Sequence, residues 1–184
     1  MTASTSDTRW LYAQPHDHRI ARLAALAIVL AVVDAGIPSP LPGVKPGLAN
    51  IVTLLALETL GWRAAVWVSL LRILGAGLLL GSLLTPGFFL GLAGGVASLA
   101  GLGLTRAWPK RWFGPVSASL VAAFCHIGGQ LLLARAWLIP SDNILYFVPA
   151  FALAALLSGL VNGIFAGKLL EGSSCAPSTP SPSP

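Results

Sequence analysis

The sequence predicts an all-α integral membrane protein, a bundle of about six transmembrane helices with both termini in the cytoplasm. Three observations carry this. Of the 184 residues 55% are hydrophobic and 9% are charged, whereas a soluble domain carries roughly 25% charged residues. Apolar runs follow one another along the chain, each near the ~20 residues that cross a bilayer. The basic residues gather in the short connections between those runs, where the positive-inside rule explains them.

Each segment has its own signals. Residues 1–20 are polar, with Arg9, His16, His18 and Arg19, and read as a cytoplasmic arm. The next apolar run, 21–37, lacks an A-x-A-like site and leads into Pro38, Pro40 and Pro42, so it reads as a first span and not a signal peptide. Residues 38–47 (PSPLPGVKPG) hold four prolines, which no helix interior accommodates. At membrane depth such backbone must be buried in protein or line a cavity. A short second helix follows at 48–60, closed by Gly61. Further spans are expected at 64–84, 88–105, 115–136 and 145–169, separated by Thr85-Pro86-Gly87, a basic loop with Arg106, Lys110 and Arg111, and a turn from Pro140 to Asn143. One membrane domain therefore occupies 21–170, and the Ser/Pro-rich tail 171–184 reads as disordered.

Six crossings place Arg9, Arg19, Arg22, Arg63, Arg106, Lys110, Arg111 and Lys168 on one side, and Lys45 and Arg135 on the other. The crowded side is the cytoplasmic one, and the expected location is the inner membrane of a bacterial-type cell. The net charge of +5 is thus topological, and nucleic acid is not expected as a partner.

Small residues recur every fourth position: Ala27, Ala31 and Ala35; Gly91 and Gly95; Gly159, Gly163 and Gly167. Such stripes let helix backbones approach closely. They serve packing within the bundle or docking to a separate membrane subunit, and Ala27, Ala31 and Ala35 form the candidate docking face.

Polar groups inside spans are costly and usually functional. Here they are Asp34, Asn50, Glu58, Arg72, His126, Gln130 and Asn162. Counted at 1.5 Å per residue, Asp34 and Asn50 fall near the outer ends of their helices, Arg72 and His126 near the middle. His126 and Gln130 share a helix face, being four apart. Lys45 adds a cation on the outer side. Asp34 and Arg72 offer an internal ion pair, and His126, Asn50 and Asn162 offer interhelical hydrogen bonds. A rigid loop, two cations and several hydrogen bonders on one side point to a site for a small, anionic or zwitterionic solute, made by Asp34, Lys45, Asn50, Arg72, His126 and Gln130.

Catalytic constellations do not emerge. No DDxxD-like acidic run occurs, so Mg²⁺-diphosphate chemistry lacks its usual ligands. The string GIFAGKL at 163–169 misses phosphate-loop spacing by one residue and has no Ser or Thr after the lysine. Cys125 beside His126 gives too few zinc ligands, and with Cys175 it forms no CxxC pair. No catalytic residue, metal or cofactor is expected.

The string DAGIPSPLPGVKPGLAN at 34–50 resembles the signature loop of the Gx transporter family, also described as heptaprenyl diphosphate synthase component I. Arg72, GSLLTPGFFLGLAGG at 81–95 and HIGGQ at 126–130 extend the resemblance over about residues 22–169. Two positions depart from it: Asp34 stands where the family usually has Glu, and Ile127 where it has Asn. The resemblance implies kinship with the substrate-binding S components of energy-coupling factor importers. Those are six-helix proteins that bind a solute from outside beneath their first long loop and dock to a transmembrane coupling subunit driven by ATPases. The other description implies a membrane accessory subunit of a prenyl diphosphate synthase, and a plain membrane scaffold is a third reading.

Overall fold

The computed structural model describes residues 14–38, 47–106 and 114–174, and over them the chain is helical, without strands. Four segments are long and apolar enough to cross a membrane: Trp62–Leu79, Pro86–Thr105, Pro115–Leu138 and Asn143–Gly172. The chain is accordingly a helical membrane protein.

Helix α1 runs Pro15–Gly36. It begins inside the polar segment read as an arm because that segment carries its own start signal. The Gln14 backbone N–H donates to Asp17 Oδ2 at 2.9 Å, and Pro15 fits the first helical position, where its missing N–H costs nothing. Helix α2, Leu48–Thr59, has 12 residues and is therefore about 18 Å long, well short of a ~30 Å hydrocarbon core. Gly47 precedes it in the left-handed region at φ 74°.

Leu60 and Gly61 turn the chain into α3, Trp62–Leu79, with Gly61 at φ 89°. This helix stops before the expected Leu84, because Gly81 (φ 63°) and Leu84 (φ 67°) both take left-handed backbone in the turn. Helix α4, Pro86–Thr105, is capped by the Thr85 hydroxyl, which accepts from the Phe88 N–H at 3.3 Å. Helix α5 spans Pro115–Leu133 and widens into a π turn over Ala134–Leu138. A 3₁₀ segment, Asp142–Phe147, leads into α6, Val148–Ser174. That helix continues beyond residue 170, through the first residues of the segment read as tail.

Two groups of three helices make the bundle. Helices α1, α2 and α3 pack on one another, and α5 packs on both α4 and α6. The short α2 sits at the junction and also touches α5 and α6. Its Val52, Leu54, Ala56 and Leu57 join Ala65, Val68, Leu102, Ala118 and Ala166 in one core cluster. Large apolar side chains of α6, including Leu153, Leu157 and Phe165, remain exposed, as a lipid-facing surface requires.

The glycines explain how closely the helices meet. A Cβ on Gly163 would lie 2.7 Å from the Val116 Cα, and one on Gly129 would lie 2.8 Å from the Ala93 carbonyl oxygen. Helix α5 thus touches both neighbours backbone to backbone. Two residues of the α1 alanine stripe also contribute to the interior. Ala27 is fully buried in the core cluster and Ala31 lines an internal cavity.

Candidate functional site

The site follows from the shortness of α2. Asn162, far along α6, donates from Nδ2 to the Gly47 carbonyl oxygen at 3.1 Å. That bond ties the start of α2 to the middle of α6, deep in the bundle. The positive end of the α2 dipole is therefore internal. Asn50 stands in the first turn of α2, beside Arg72 in mid-α3.

Arg72 is 8% exposed, and its Nη1 donates to Asn50 Oδ1 at 2.9 Å. Its Nε is buried with no hydrogen-bond partner among the described residues. Asp34, in the last turn of α1 and 4% exposed, interacts electrostatically with Arg72. Across from them, Gln130 Nε2 and His126 Nε2 are 3.1 Å apart. The direction of that hydrogen bond is set by the imidazole tautomer. Both side chains lie over Gly94 of α4, where a Cβ would stand 2.9 Å from His126 Nε2 and from Gln130 Cγ. Glycine at this position makes room for the pair.

These groups share one cavity of about 350 Å³, lined by Asp34, Asn50, Arg72, His126 and Gln130. Gly47 and Ala49 bring the α2 N-terminus to its wall; Ile73, Ala76, Phe88 and Leu90 supply apolar surface. Ser82 and Thr85 of the α3–α4 turn and Gly87 at the start of α4 also line it, which places the cavity at the end of the bundle where α1 finishes and α4 begins. Five of the six candidate residues are thus brought together. The sixth, Lys45, lies outside the described residues, as does most of the 38–47 loop. Sequence reading left out the wall residues Ser82, Thr85 and Phe88, because lone hydroxyls and aromatics near helix ends give no signal of their own. Among the described residues no group of three or more His, Cys, Asp or Glu side chains is placed to hold a metal.

A family model described as heptaprenyl diphosphate synthase component I matches residues 23–169. The chain belongs to that family. No curated protein and no solved structure matches the chain. Every cavity residue of this component I family member, from Ala31 to Ser158, falls within the matched span. The arrangement can hold a solute. Buried donors on Arg72 and a helix N-terminus suit an anionic group, while Asp34 and the Gln130–His126 pair suit a hydrogen-bonding or cationic one.

Proposed function

We propose that the chain is a non-catalytic, membrane-embedded binding subunit that holds a small anionic or zwitterionic solute in the cavity between Arg72 and His126. The observation that carries this reading is Arg72 itself. An arginine buried in a membrane bundle, with Nε unpartnered among the described residues beside a 350 Å³ cavity, is a costly arrangement that a solute anion would offset.

In this reading six segments cross the inner membrane with both termini in the cytoplasm, as the Lys and Arg distribution indicates. The short α2 belongs to the second crossing, in the manner of broken transporter helices whose N-termini face a ligand. The cavity then opens outward, beneath the loop that carries Lys45.

Two roles fit such a subunit. The family description favours membrane accessory to a prenyl diphosphate synthase, with the catalytic acids on another chain. The second role, solute binding for an importer with a coupling subunit and ATPases, is favoured by the internal helix N-terminus facing an outer cavity. Mass spectrometry of small molecules retained by gently solubilised protein, wild type against Arg72→Ala, tests the binding reading common to both. A solute retained by the wild type and lost in the variant supports it. No retained solute, together with normal growth of cells carrying Arg72→Ala, overturns it. Copurification of a soluble synthase chain would select the accessory role, and solute uptake dependent on ATPases the importer role.

A further inference from the structure

Below the solute cavity lies a second, much smaller one of about 10 Å³. Six polar residues line it: Asn50 and Thr53 from α2, Ser69 from α3, Ser98 from α4, Ser119 from α5 and Asn162 from α6. Thr53, Ser69, Ser98, Ser119 and Asn162 are each 7% exposed or less. Five helices therefore send a hydroxyl or amide to one point in an otherwise apolar core. Thr53 Oγ1 is buried there with no hydrogen-bond partner among the described residues, a condition that normally destabilises a fold.

The size and chemistry of this well select its occupant. About 10–15 Å³ of such volume is what one water molecule needs, with two to four polar partners around it. Among the described residues no carboxylate lines the well, and Arg72 lies one helical turn from Ser69 on α3, so a metal cation would lack an anionic ligand and meet a like charge nearby. Asn50 supplies the link upward, because it lines both the well and the solute cavity. Arginine only donates, so Asn50 must turn its oxygen to Arg72 and its NH₂ elsewhere.

We propose that the well binds one water molecule, which hydrogen-bonds Thr53 and its serine neighbours and accepts from the Asn50 amide. Thr53 is then a positioning residue: through the water it fixes the orientation of Asn50, and through Asn50 that of Arg72. The site is independent of whether the larger cavity takes a solute.

Water-selective NMR on the ¹⁵N-labelled full-length protein in detergent micelles tests this. Wild type should show an exchange-protected water in contact with the Asn50 side-chain amide. Thr53→Val should abolish that contact and move the Arg72 Nε–H resonance, and Thr53→Ser should restore both. Melting temperatures in sodium chloride and choline chloride should agree. A wild-type Asn50 amide with no water contact would overturn the proposal without recourse to any variant. Sodium-dependent melting would overturn it in favour of a cation site, and an Arg72 resonance unmoved in folded Thr53→Val would remove the positioning role.

Discussion

The guanidinium of Arg72 donates to the side-chain oxygen of Asn50 at 2.9 Å, joining the middle of α3 to the first turn of α2. The bond fixes the depth of a cationic group and of a helix N-terminus together. Asn50→Asp keeps an acceptor at this point and adds a negative charge. We expect this variant to melt close to wild type while retaining at least tenfold less anionic solute. Asn50→Leu removes the acceptor and should destabilise the protein by about 1.5–3 kcal/mol, the range for hydrogen bonds to charged groups. Thermal melts in detergent and mass spectrometry of bound solute separate the two outcomes.

Arg72 and Asp34 interact within the same cavity wall. Arg72→Met removes the cation that offsets Asp34 and should cost about 3–5 kcal/mol, as breaking a buried charge pair does. Adding Asp34→Asn should recover part of that loss, giving a double variant more stable than the sum of the single changes predicts. Additive losses in a four-variant melting series would show that the two charges do not act as a pair.

Gly94 makes room for His126 and Gln130, since a Cβ there would approach both to 2.9 Å. Gly94→Ala should displace the pair, lowering solute retention and costing about 1–3 kcal/mol through overcrowding. A matched change at Gly128, where a Cβ meets nothing within 4 Å and which does not line the cavity, should leave both properties near wild type. The comparison is read by solute retention and melting temperature.

Packing of α6 on α5 can be probed in the same way. Gly163→Ala pushes a Cβ to 2.7 Å from the Val116 Cα, whereas Gly167→Ala meets open space. The first substitution should lower the melting temperature by several degrees, and the second should not. Equal effects would argue that the close α5–α6 approach does not contribute to stability.

Asn162 holds the start of α2 through its bond to the Gly47 carbonyl. Asn162→Leu should loosen that start, with a cost of about 1–3 kcal/mol and faster amide exchange at Leu48 and Ala49 than in wild type. Unchanged exchange at those two amides would show that the α2 N-terminus is held by its own turn alone.

Much of this was legible in the residues themselves. The run of apolar segments, the proline interruption and the scarcity of charge dictate a helical membrane protein, because only internally hydrogen-bonded helices tolerate lipid in such a chain. The identity of the cavity residues was legible too: Asp34, Arg72, His126 and Gln130 stand out as polar groups in apolar runs. The start of α1 was less so, since the capping interaction of Gln14 with Asp17 competes with a composition that reads as solvated arm. The end of α3 was missed by several residues, because Leu84 is an improbable occupant of left-handed backbone.

Sequence by itself determined which segments are helical and which residue types are available for chemistry. Tertiary structure decided their rotation and depth. In a medium as apolar as the side chains, hydrophobic periodicity no longer sets which face turns inward; close packing and a few polar contacts do. That is why Ala27 is buried inside the bundle, why Asn50 meets Arg72, and why hydroxyls from separate helices converge on one small well.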